Sequence, residues 1–227
     1  MNLKITSVTV CVLVGLMGAA LTSQAAIIIT EIMYNPADTG DAYEYVEIYN
    51  NGVSAVDLTG WTIADTGATN SGPFPAGSSI AAGGTAVLPR LRTGFGTIAD
   101  YKTAWGAGIN FIDIPIDTWN GLANTPDEVL IYDASNTLIT EVDYGVASPW
   151  PPSTNGFSIY LTDLSADTSV GSNWALSAVG VDGAYAASPP FDVGDVGSPG
   201  VVVPEPTTLA LVGLGLLVVL LSHRDMS

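Results

Sequence analysis

The sequence predicts an all-β protein, built as a β-sandwich and framed by an apolar segment at either end. Three observations lead there. Short runs of β-branched and aromatic residues alternate apolar with polar positions, the period of a strand with one buried face. Gly, Pro and Asn punctuate these runs at short intervals, as they do between the strands of sandwiches. Helical periodicity is almost absent from the middle of the chain.

The first strand is read at residues 27–32 (IIITEI), a β-branched run ended by Tyr34-Asn35-Pro36. Residues 43–49 (YEYVEIY) alternate, with Val46 and Ile48 on one face and Tyr45, Glu47 and Tyr49 on the other. Asn50-Asn51-Gly52 is a turn signal. One strand is expected through Leu58, Trp61 and Ile63 over residues 56–64, and a short one over 85–88. Residues 93–120 show aromatics and glycines without a sustained period, and read as long loops around a strand at 111–114. Residues 128–133 (EVLIYD) and 137–144 (TLITEVDY), joined by a polar turn, form a predicted hairpin. Residues 156–161 (GFSIYL) give a further strand. The expected core contains Val46, Ile48, Leu58, Trp61, Val129 and Ile131.

The ends are read as export and sorting devices. Lys4, an apolar run over residues 8–21, and small residues at Ser23 and Ala25 form a secretory signal over residues 1–25, with cleavage by signal peptidase between Ala25 and Ala26. The folded domain is expected over 26–176. Residues 177–203, rich in Gly, Ala, Ser and Pro, read as a linker. A tail over 204–227 begins Pro204-Glu205-Pro206, continues uncharged through about 207–222 as an expected transmembrane helix, and places Arg224 beyond it. The apolar core of that helix spans only about 20 Å, short for a bilayer.

Composition narrows the chemistry. The net charge is −17, and the middle of the chain keeps it, because Lys4, Arg224, Glu205 and Asp225 leave together with the ends. Such a surface repels a phosphate backbone, so no nucleic-acid partner is expected. The single Cys and single His are Cys11 and His223, both in the end segments. The domain therefore lacks the side chains of Ser-His-Asp and Cys-His catalysis and of His- or Cys-ligated zinc.

The tail resembles the PEP-CTERM sorting signal, in which a Pro-Glu-Pro motif, here Pro204, Glu205 and Pro206, precedes an apolar helix and a basic end. The resemblance implies processing by an exosortase, a membrane-embedded cysteine protease. It also implies insertion in the membrane before processing and delivery to the cell envelope, outer surface or extracellular matrix. The domain resembles bacterial lamin-tail domains. The residues that carry this are 29–35 (ITEIMYN), 44–50 (EYVEIYN), 57–61 (DLTGW), 122–133 (LANTPDEVLIYD), Trp150-Pro151, 156–161 and Asn173-Trp174. That resemblance implies an immunoglobulin-like sandwich used as an accessory or interaction module.

No cofactor is expected. Weak Ca²⁺ binding is the candidate site chemistry, through Asp38 and Asp41 in one loop with Glu44 just beyond, since hard oxygen ligands suit that ion. Glu31 and Glu47 read as solvent-facing strand positions or partners of backbone at a sheet edge. Trp105, Trp119 and Trp150 fall in loop-like segments and are where an exposed sugar platform would be sought. The expected function is a non-catalytic structural or adhesive surface protein, associated with extracellular polysaccharide. A carbohydrate-binding module is the alternative. A glycoside hydrolase working through two carboxylates is the third reading.

Overall fold

A computed structural model describes residues 27–37, 43–65, 70–190 and 193–202. Five strands form one antiparallel sheet: β1 (Ile27–Met33), β2 (Tyr45–Asn50), β6 (Thr85–Pro89), β9 (Ile159–Leu161) and β10 (Trp174–Leu176), in the order β10-β9-β1-β2-β6. Three more form the second sheet: β4 (Thr62–Ala64), β7 (Asp127–Tyr132) and β8 (Leu138–Tyr144), with β7 central. Two short pairs complete the strands, β3 (Val56–Asp57) with β5 (Ser79–Ile80) and β11 (Tyr185–Ala186) with β12 (Val196–Gly197). One α-helix is present among the described residues, α1 (Ile98–Trp105), with one turn of 3-10 helix at Gly171–Asn173.

The main core lies between the two sheets. Val46, Ile48, Ile32, Leu88 and Ile159 of the first sheet meet Ile63, Val129, Ile131 and Val142 of the second, all fully buried or nearly so. Of the expected core residues, Val46, Ile48, Leu58, Val129 and Ile131 are buried as the alternation predicts. Trp61 is only partly buried and packs against the cluster's rim. The hairpin of β7 and β8 forms in the predicted place, with Asn136 in the left-handed region at φ 60° in its turn.

Three readings are corrected. The strand expected over 56–64 is two strands, β3 and β4, because the chain turns at Gly60 with φ 79°. The segment 93–120 contains α1, which a capping box starts. The Thr97 hydroxyl accepts from the Asp100 amide at 3.3 Å, and the Asp100 carboxylate accepts from the Thr97 amide at 2.8 Å. The strand expected at 111–114 reduces to one parallel bridge, Phe111 beside Val87.

The third correction concerns residues 177–203. Their described part is a strap folded back over the outer face of the five-stranded sheet. Ser177, Ala184, Ala187, Asp195, Val196 and Ser198 are buried, and β11 and β12 pair within it. Together with α1 the strap covers a second cluster, in which Met33, Tyr45, Val87, Tyr101 and Trp105 are buried. Composition hid this because the strap contributes small side chains and backbone, with few large apolar groups of its own.

The signal-peptide segment, Asp38 and Asp41, and the tail from Val203 onward lie outside the described residues. Among the described residues no helix is long and apolar enough to cross a membrane.

A chain ending at Leu176 should consequently lose its cooperative thermal transition, or melt at much lower temperature than one ending at Val202. Circular dichroism and differential scanning calorimetry on the two chains check this. Equal melting temperatures would return residues 177–202 to the status of a linker.

Candidate functional site

The polar centre of the molecule is a pair of glutamates on the covered face of the larger sheet. Glu31 on β1 and Glu47 on β2 stand directly opposite each other in the strand register, and each is 1% exposed. A β-bulge puts them there. The register shifts between Ile29 and Glu31, so Ile29 and Ile32 both enter the main core while Glu31 turns to the other face. The residue absorbed by the shift, Thr30, donates from its hydroxyl to Glu47 Oε1 at 2.9 Å.

Glu31 collects four donors. Its Oε1 accepts from the Tyr45 hydroxyl at 2.8 Å, the Ser158 hydroxyl at 2.5 Å and the Ser198 amide at 2.8 Å. Its Oε2 accepts from the Ser198 hydroxyl at 3.0 Å. Glu47 Oε2 accepts from the Gly200 amide at 2.6 Å. Strands β1 and β2 thus hold the strap by its backbone. Gly197 is needed between them, because a Cβ at that position would run into the Tyr45 hydroxyl and Glu31 Oε1.

Two buried carboxylates facing each other cannot both ionise cheaply. Burial raises the pKa of Glu31, with the bonds from Ser158, Ser198 and Tyr45 pulling it down. Burial raises Glu47 well above the ordinary value, and the charge of Glu31 raises it further. The donors set the order within the pair: four of them favour the Glu31 anion, while burial and the neighbouring Glu31 charge favour the neutral form of Glu47. Tyr185 of the strap, which shares this face, is pushed up to about 12, by burial first and then by the nearby Glu31 charge.

A second buried acid braces the end of the same sheet. Glu44 Oε1 pairs with Arg90 Nη1 at 2.7 Å, the two side chains being 0% and 11% exposed. Its Oε2 accepts from the Leu122 amide at 2.7 Å, and its carbonyl accepts from the Tyr101 hydroxyl at 2.7 Å. Gly121, at φ 96°, passes so close that a Cβ there would meet the Arg90 guanidinium. Glu44, expected as a calcium ligand beside Asp38 and Asp41, therefore has both carboxylate oxygens committed inside the protein. Asp38 and Asp41 lie outside the described residues.

Surface acids are also used locally. Asp57, Asp163 and Asp167 each accept from the amide two residues on, at Thr59, Ser165 and Ser169. Hydrogen bonds from those same residues hold the three carboxyls below the usual range. Asp-x-Ser/Thr is the sequence pattern of such Asx-turns, and Asp133 repeats it with Ser135. That signal lay in the sequence and separates turn-forming acids from free ones.

The expected sugar platform is not assembled. Trp105 and Trp119 are each 4% exposed, and Trp150 is half-buried, its ring 5.8 Å from Trp174. A shallow cavity of about 250 Å³ between residues 75–79 and 110–113 offers one carboxylate, Asp113. Among the described residues no three His, Cys, Asp or Glu side chains converge as a metal site.

The architecture and the sequence now meet a known family. The lamin tail domain model matches residues 21–146, more than half of the chain. The chain belongs to the lamin tail domain family. Its lamin tail domain is immunoglobulin-like, in keeping with the two-sheet sandwich. The match stops at Val146, short of β9, β10 and the strap, although β9 and β10 belong to the same sheet as β1 and β2. A second model, the PEP-CTERM protein-sorting motif, matches residues 202–224. It marks an exported protein of the cell envelope that is processed by an exosortase. No curated protein matches the chain.

Two outcomes follow from this geometry. Because the native state binds more protons than the unfolded chain, stability is full below the ordinary glutamate pKa and falls as pH rises through the raised value of Glu47. The slope reaches at most about 1.4 kcal/mol per pH unit for one proton. Glu47→Gln keeps an acceptor for the Gly200 amide and removes the titrating group. It should flatten the slope and raise the melting temperature on the alkaline side, as thermal melts from acid to alkaline pH will show. Arg90→Ala, which strands the Glu44 charge, should cost about 3 kcal/mol by denaturant unfolding, with Glu44→Gln added to it restoring part of the loss.

Proposed function

We propose that this protein is a non-catalytic structural or adhesive module of the outer surface or extracellular matrix, released there from a temporary membrane tail. The observation that carries the reading is the use made of the acids. Glu31, Glu47 and Glu44, the carboxylates that a catalytic reading would reach for first, are buried, mutually paired or paired with Arg90, and spent on holding the strap and the sheet end. A glycosidase needs two carboxylates flanking an open cleft, and the buried pair opens on no cleft. A carbohydrate-binding module needs exposed aromatic faces, and the buried Trp105 and Trp119 weigh against it. What supports association with extracellular polysaccharide is the destination implied by the sorting motif. Weak Ca²⁺ bridging by the acidic loop at Asp38 and Asp41 remains part of the proposal, without Glu44.

Sorting proceeds in this reading by signal peptidase cleavage at Ala25–Ala26, insertion of residues 207–222 in the membrane, and cutting near Pro204–Pro206. The prolines keep the motif out of a helix and its backbone accessible. In a host with an exosortase, the extracellular protein should start at Ala26 and end near Pro204–Pro206, by intact-mass measurement. Glu205→Ala should leave it uncut in the membrane. Extracellular protein that still carries Leu209–Ser227 would overturn the release step.

A further inference from the structure

The strap sets how far the folded domain can stand from the sorting motif. Ser198 and Gly200 are fixed to Glu31 and Glu47 through their amides, and Ile109 packs where a Cβ on Gly200 would point. From Gly200 the chain reaches Glu205 in five residues, about 17 Å at full extension. A free linker over 177–203 would have allowed about 90 Å. While residues 207–222 lie in a bilayer, the point where the strap leaves the domain is therefore held close to the lipid headgroups.

The surface beside that point exposes three valines. The loop 178–184 closes on itself, its Gly180 amide donating to the Ala184 carbonyl at 2.8 Å. Gly183 lies so near Val201 that a Cβ there would strike the valine side chain. Val179 is 64% exposed, Val181 47% and Val202 38%. Asp182, the loop's one charged residue, is exposed and accepts from the Tyr160 hydroxyl at 2.6 Å. The loop carries no Lys or Arg. Two exposed valines are a weak ligand for lipid on their own, but a tether this short keeps their effective concentration at the surface high.

We propose that the domain docks on the lipid bilayer through loop 178–184, with Val179 and Val181 in the headgroup region, for as long as the tail is inserted. The inference rests on the reading of residues 207–222 as a membrane segment. Its attraction is apolar, so it requires no anionic lipid and is insensitive to salt, unlike a basic patch.

Residues 26–227 contain no cysteine, which makes single labels clean. The chain is reconstituted in phosphatidylcholine vesicles with an environment-sensitive fluorophore on Val179→Cys, Val181→Cys or Phe95→Cys. Phe95 is 56% exposed and lies past the Pro89 end of β6, away from the strap's exit. Labels at 179 and 181 should shift to shorter wavelength and resist iodide quenching, while the label at 95 behaves as in water. If all three labels stay in water although the chain floats with the vesicles, docking is overturned and the tail reading stands. If the chain does not float with the vesicles, the tail reading falls and docking falls with it.

Discussion

The structure depends on covering two carboxylates that the larger sheet places on its outer face. Glu31 and Glu47 lie across from each other on the sheet's central strands, with the hydrophobic core on the opposite side. In an ordinary sandwich that outer face meets water and an acid there is unremarked. Here it is buried, and a buried charge needs partners. The Ser198 amide and hydroxyl, the Gly200 amide, and the Ser158 and Tyr45 hydroxyls provide them. Helix α1 fills the remaining area with Tyr101 and Trp105. The strap and helix make sense as one cover over one polar pair.

This is also where sequence reading reached its limit. Period-two alternation in residues 43–49 located β2 and named its core side, Val46 and Ile48, because hydrophobic burial writes itself into side-chain identity. The same alternation says only that Tyr45, Glu47 and Tyr49 share the other face. It cannot say whether that face is wet. The covering residues arrive 167 positions after Glu31, and what they contribute is backbone N–H from Ser198 and Gly200, which no side-chain pattern records. Helix α1 was legible in part: Thr97 and Asp100 spell its capping box, yet eight residues give too little length for a helical period to stand out. The loop tryptophans misled for a related reason. Trp105 ends α1 and Trp119 enters the main core, and neither fate can be read without knowing the cover.

The distribution of acids gives the protein two distinct electrostatic layers. At the surface Asp57, Asp163 and Asp167 close Asx-turns and remain charged. These three interior acids are individually partnered: Glu44 by Arg90, Glu31 by three hydroxyls and the Ser198 amide, Glu47 by the Thr30 hydroxyl and the Gly200 amide. A buried acid with its partners satisfied fixes geometry more than it adds stability. What it fixes here is the path of the strap, since only a chain that brings two amides and a hydroxyl to these positions satisfies the pair.

That path ties folding to sorting. The sorting-motif match begins at residue 202, two residues after the amide held by Glu47. The family match ends at residue 146, and the segment between the two matches completes the sheet and its cover. It adds β9 and β10 to the sheet, then spends the remainder on the strap rather than on slack. A flexible linker would have separated the state of the domain from the position of the motif. A strap held by buried carboxylates joins them, because only five residues, about 17 Å at full extension, separate the anchored Gly200 from Glu205. The buried glutamates thereby fix where the chain leaves the domain on its way to the sorting motif.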